Sequence, residues 1–232
     1  MELREARELI RHRVSLVRLR TRVKNSLTSM LARRNLRPKS TKRWMSAPGQ
    51  LELAVLPLAP IPQTIREDCF ALLRLLDQQV RRMDSELTQR WKHDPRVQRL
   101  TTIPGIGPFI AIVLVLELGD IHRFPSAKHI ASYTGLTPRV RGSADRLRLG
   151  HISHEGNRLL RWALVLVATQ AARQPGPLRI WYRDMLRRKG KRVARVALAR
   201  RLSEILYQVW KTDSDYWTTL SRSVRAGVSP QG

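Results

Sequence analysis

Cysteine is almost absent from this 232-residue chain: Cys69 is the only one. A single cysteine excludes an intrachain disulfide and a zinc ribbon. Acidic residues are scarce too, 18 Asp plus Glu against 44 Lys plus Arg, for a formal net charge of +26. Long apolar runs are missing. The longest, Phe109–Leu116 and Trp162–Ala168, fall short of the roughly 18 residues of a membrane span. They read as buried helix, so no membrane partner is expected. The opening residues carry Glu2, Glu5 and Glu8 in place of a basic-then-apolar leader, and the chain is expected in the cytoplasm. Carboxylates in metal-binding clusters are lacking as well: Glu117 and Asp120 stand three apart, and Asp213 and Asp215 lie near the end. Two hard-cation sites need several converging oxygens, so no metal site and no bound cofactor are expected on this chain.

What is present is positive charge arranged on helical periodicity. A field of that sign recruits polyanions, and neutralising phosphates releases counterions. DNA is the expected partner. The fold is expected to be all-α, a long coiled-coil-like helical arm followed by a compact helical domain containing a helix-hairpin-helix. In residues 1–92, the arm, Ile10, Val14, Val17, Val23, Leu27 and Leu31 recur at helical spacing up to Pro38. A proline-punctuated connector, 38–62, leads to a second helix with a seam of Ile65, Cys69, Leu72, Leu76, Val80, Met83 and Leu87. Such seams pair with each other or with another copy of the chain, and a homo-oligomer is expected. The compact domain spans 93–212, and 213–232 reads as a tail.

Within it, Leu100-Thr-Thr-Ile-Pro-Gly-Ile-Gly-Pro-Phe reads as a hairpin between two helices, the motif covering 96–118. Gly105 and Gly107 are expected to allow positive φ and close backbone approach. The amides opening the second helix then make a phosphate site. A tight αα-corner that only packs is the alternative. A short helix, Ala127–Tyr133, precedes a basic loop at 135–153 in which Arg139, Arg141, Arg146 and Arg148 surround Ser143. A serine attacking a phosphodiester needs little steric cover and several guanidiniums to offset phosphoryl charge. The same residues suit a serine that merely hydrogen-bonds a phosphate. His151 and His154 read as phosphate contacts or a helix start. Helices are expected at about 154–173, 177–188 and 191–211. Around Gly190, Arg187, Arg188, Lys191 and Arg192 are expected to form a backbone-binding face. Trp162, Trp181 and Trp210 stand at core spacing. Asp120 suggests a helix-hairpin-helix repair enzyme, but its neighbours make no catalytic pocket, and a helix-end acid is the preferred reading.

The ordered set Leu100–Gly107 with Gly119-Asp120, Gly135-Leu-Thr-Pro-Arg139, Gly150-His-Ile-Ser153, Gly156-Asn157-Arg158, Leu160-Arg161, Trp181-Tyr182 and Gly190-Lys191 resembles bacterial insertion-sequence transposases of the IS-one-ten, IS-one-sixteen and IS-nine-oh-two group. The resemblance covers about residues 1–212. It implies a recombinase-like enzyme: a RuvC-like domain with metal-binding acids, a coiled coil that assembles chains, and a C-terminal domain with a serine nucleophile. It also implies insertion guided by a structured RNA and a nucleoid-associated place in a bacterial cytoplasm. The family's serine, four positions after the Arg of Leu-Thr-Pro-Arg, is Ser143 here, with Ser153 the second assignment. The RuvC-like acids are expected upstream of the segment resembling Leu3–Leu36. The chain is therefore expected to be a truncated or split copy that needs that domain in trans, with Mg supplied only there. A non-catalytic nucleic-acid-binding remnant or regulator of transposition is the other reading.

Overall fold

The computed structural model describes residues 3–36, 47–143, 146–152 and 155–225. The chain divides into two compact units, the first ending at Glu86 and the second beginning at Leu87.

The first unit carries α1 (Leu3–Ala32), α2 (Ala47–Ala54) and most of α3 (Pro60–Trp91). Arg13 grips Asp84 through Nε at 2.8 Å and Nη2 at 3.0 Å, and Arg20 grips Asp77 at 2.7 Å. One step of seven residues forward on α1 thus matches one step of seven backward on α3, the signature of an antiparallel pair in constant register. Leu27, Met30, Leu31, Leu53, Cys69, Phe70 and Leu73 form the core at one end. The expected α3 seam holds in part: Cys69, Val80 and Leu87 are buried and Leu76 and Met83 half-buried, but Ile65 and Leu72 are 40% and 49% exposed, and Phe70 and Leu73 are buried in their place. Arg66 is buried and donates to the carbonyl oxygens of Leu53 at 2.9 Å and Leu56 at 3.1 Å, capping α2. The connector is therefore folded onto α3 from Ala47 onward. Well before Pro38, α1 has ended: Asn35 takes φ 57 and Leu36 N–H returns to the Leu31 carbonyl at 3.1 Å, a left-handed cap that asparagine tolerates.

The second unit is built around α5 (Pro108–Leu118), which is buried at every residue from Ile110 to Leu118. A helix apolar on all sides needs neighbours on all sides. It packs on α4 (Pro95–Thr101) and α7 (Arg158–Ala171), while α8 (Pro177–Lys211) packs on α4, α7, α6 (Ala127–Tyr133) and α9 (Tyr216–Arg225). Asp94 caps α4 by accepting from Arg96 N–H at 2.8 Å. Gly190, at φ 76, breaks α8 into the two helices expected from the sequence. Two expectations change. The basic loop is a hairpin of two antiparallel strands, β1 (Pro138–Ser143) and β2 (Arg146–Ile152), so the fold is helical with one strand pair. Alternating Val140, Leu147 and Leu149 among arginines is a strand pattern. The tail carries α9, whose Tyr216 is buried and whose N–H bonds Thr102 Oγ1 at 2.9 Å. Burial pushes the Tyr216 phenol up, against the opposing pull of Arg201. No helix among the described residues is long and apolar enough to cross a membrane.

Candidate nucleic-acid interface

Two turns, one strand pair and the break in α8 hold the candidate residues, all in the second unit. The first turn joins α4 to α5. Gly105 has φ 91, and a Cβ there would stand 2.8 Å from the Val167 carbonyl oxygen and 2.9 Å from the Ala171 nitrogen. The backbone that comes close at Gly105 is therefore α7 of the same chain. Gly107 differs. It is the N-cap of α5 with φ −91, extended backbone open to any residue, and a Cβ there meets nothing within 4 Å. The positive φ expected at both glycines holds at Gly105 alone. Gly107 and Pro108 are exposed at the start of α5, which carries the partial positive charge of a helix N-terminus.

The second turn leads into and out of the hairpin, and here separated motif segments meet. Gly135 has φ 67, and a Cβ on it would lie 2.4 Å from the Glu155 carbonyl oxygen and 2.7 Å from Arg161 Nη2. Arg161 Nε donates to the Thr134 carbonyl at 3.2 Å. Asn157 N–H bonds the Tyr133 carbonyl at 2.9 Å. The Asn157 side chain caps α7 by accepting from Leu159 and Leu160 N–H, and its Nδ2 donates to Glu117 Oε2 at 2.7 Å. The Gly135 and Gly156-Asn157-Arg158 motifs are thus the two sides of one clamp at the hairpin's base. Sequence reading missed the roles of Asn157 and Arg161, because a cap and a strut are identified by partners far along the chain.

The hairpin's register sets Ser143 opposite Arg146 and Arg141 opposite Arg148. Directly opposed positions, and positions two apart on a strand, share a face of a ladder. Ser143 is the last paired position of β1, next to the turn. Arg139 sits at the register shift between Pro138 and Val140, off the regular rungs. Ser153 and His154 lie outside the described residues. Arg187, Arg188, Lys191 and Arg192 are exposed around the Gly190 break, and Asp184 pairs with Arg188 at 2.9 Å.

Four described carboxylates of this unit are engaged in structure. Glu117 is buried against Asn157, Asp120 accepts from His122 N–H at 2.8 Å, Asp213 pairs with Arg99, and Asp215 accepts from Thr218 N–H at 2.8 Å. That hydrogen bond and its neighbours hold the Asp215 carboxyl below the usual range. Among the described residues no group of three or more His, Cys, Asp and Glu is placed to hold a metal ion.

Trp162 departs from its expected core position: it is 44% exposed, whereas Trp210 is buried. Arg201 covers the Trp181 ring at 4.9 Å.

Residues 97–183 match the family described as the Transposase IS116/IS110/IS902 family. The chain is 31% identical over 193 residues to the insertion element IS116 44.8 kDa protein of Streptomyces clavuligerus, covering 81% of this chain and 47% of that one. It is 26% identical over 222 residues to the transposase for insertion sequence element IS1111A of Coxiella burnetii, covering 93% and 61%. It is 36% identical over 117 residues to a pilin gene-inverting protein of Moraxella bovis, covering 49% and 36%. The chain spans about half the length of these curated relatives.

Proposed function

We propose that this chain, which belongs to the transposase IS116/IS110/IS902 family through residues 97–183, is a DNA-binding transposase or recombinase in which Ser143 attacks a DNA phosphate. The observation that supports the reading is the hairpin register, which sets Ser143 opposite Arg146 and Arg141 opposite Arg148. In the reaction, a bond forms between Ser143 Oγ and phosphorus while one backbone P–O bond breaks. The serine proton passes to a base and the leaving oxygen takes one up. A serine hydroxyl is a weak nucleophile at neutral pH. Its activation is assigned to the acidic residues of a RuvC-like domain.

Binding is assigned to three surfaces. In a helix-hairpin-helix reading of α4 and α5, the amide end at Gly107 takes a backbone phosphate. The hairpin arginines take the reacting one. Arg187, Arg188, Lys191 and Arg192 take others along the duplex. The α1–α3 pair is read as a coiled-coil arm that joins copies of the chain, and a structured guide RNA is a further partner. Contacts of this kind position DNA without reading bases.

The test is the salt dependence of duplex binding by the full chain. With about six phosphates engaged, raising salt from about 50 to about 200 mM weakens binding on the order of a thousandfold. A curve indifferent to salt contradicts the DNA reading.

A further inference from the structure

One face of α7 is buried and the opposite one is not. Leu160, Ala163, Leu164, Val167, Ala168 and Ala171 form the inner stripe. The outer stripe lines an open groove of about 530 Å³: Arg158, Arg161, Trp162, Val165, Leu166 and Thr169. Trp162 and Leu166 are 44% and 37% exposed. An indole exposed to that extent forgoes a large part, somewhat under half, of the stabilisation that burying an aromatic side chain brings. Apolar residues on both faces of a helix indicate that something covers the second face.

The charge on the groove selects the occupant. None of its six residues is acidic, and two are arginines at the α7 N-terminus, where the helix dipole adds positive potential. Arg161 is fixed in place by the Thr134 and Glu155 carbonyl oxygens at 3.2 and 3.5 Å. Arg158, one turn earlier, is exposed. A nucleotide meets both needs at once, offering a flat apolar base to the indole and an anionic phosphate to the guanidinium. The base must be unpaired, because a base inside a duplex presents no free face.

Resting on the DNA reading above, we infer that the Trp162 groove of α7 is a stacking site for one unpaired nucleotide of a DNA strand, with Arg158 on its phosphate. The site lies one helical turn from the clamp at the hairpin's base, since Arg158 follows Asn157 and Arg161 braces Thr134. It would hold a strand opened beside the reacting phosphate.

The experiment measures binding of the full chain to a labelled oligothymidylate of about twelve nucleotides, a blunt duplex, and an oligouridylate of the same length. Trp162→Ala and Trp162→Leu are compared with Trp162→Phe, and each variant's melting is recorded. Leucine keeps an apolar side chain but removes the π face. Both Ala and Leu are expected to weaken oligothymidylate binding about tenfold, with Phe within about threefold and duplex affinity unchanged. Oligothymidylate affinity that is indifferent to Trp162→Leu, beside intact duplex binding, overturns the inference and leaves the DNA reading standing. A chain that binds neither DNA form removes both. Loss of sedimenting mass in Trp162→Leu without loss of strand affinity assigns the groove to a second copy and overturns the proposal. A Trp162 dependence seen only with oligouridylate overturns the assignment to DNA.

Discussion

Gly135 and Gly156 touch: a Cβ on Gly156 would stand 2.8 Å from the Gly135 nitrogen and 2.7 Å from the Tyr133 carbonyl oxygen. Both residues have positive φ, 67 and 109, so a side chain at either meets strain and collision together. Gly135→Ala and Gly156→Ala are each expected to destabilise the second unit by about 2 kcal/mol or more in denaturant unfolding. Either substitution that leaves stability unchanged removes the clamp from the account.

Gly105 and Gly107 stand two apart and are expected to behave oppositely. Gly105→Val drives a branched side chain into the α7 backbone and lowers stability by about 2 kcal/mol or more. Gly107→Val meets open space and costs about 1 kcal/mol as a poorer helix cap. It is nevertheless expected to weaken DNA binding equally for all sequences, because its methyls shade the α5 amides. Melting curves and binding isotherms on the two variants separate packing from contact. Undiminished DNA affinity in Gly107→Val contradicts the phosphate assignment.

Asp94 gives a pH dependence of known sign. Partial burial pushes its carboxyl up, but hydrogen bonds and charge from Arg96 and the Val97 N–H outweigh this and hold it below the usual 3.8. A carboxylate depressed on folding contributes stability that is present above about 3.8 and is lost as pH falls through its lower folded value. Asp94→Asn retains a capping oxygen but not the titration. The variant should therefore lose less stability than the parent between about pH 4 and 2, as read by unfolding at a series of pH values. Equal losses in the two proteins contradict this role.

Along α3, Ile61, Ile65, Leu72 and Leu75 remain exposed although Arg13–Asp84 and Arg20–Asp77 already fix the pairing with α1. Covering this stripe by another copy is the expected use of the arm. Sedimentation at tens of micromolar should give at least a dimer, and Ile65→Glu with Leu72→Glu should give a monomer. A parent chain that sediments as a monomer contradicts the oligomer.

Helices were legible because their signals are local. Ala127–Tyr133 follows the expected bounds, and α8 breaks at Gly190 as its glycine suggests. The burial of Phe70 and Leu73 in place of Ile65 and Leu72 was not legible, since α2 meets α3 through contacts such as Arg66 with the carbonyls of Leu53 and Leu56, far apart in sequence. Nor was the strand pair, because arginines dominated the 138–152 segment and masked its alternation. At the candidate site, Ser143 and its arginines were readable as a cluster of residue types, but their cross-strand order needed the register. Trp162 was misread because its spacing fits either face of α7, and only the packing of α7 on α5 and α8 decides which one is inside.

The most direct test of the central claim is a covalent adduct. The chain is incubated with a RuvC-like domain from a relative and with DNA carrying the element's end, then resolved under denaturing conditions. The parent is expected to form a protein–DNA band when the RuvC-like domain is present and none without it. Ser143→Ala is expected to abolish the band while DNA affinity changes by no more than about 1 kcal/mol, the worth of one neutral hydrogen bond. A band that survives Ser143→Ala contradicts the account and moves the nucleophile elsewhere, with Ser153 the next to substitute.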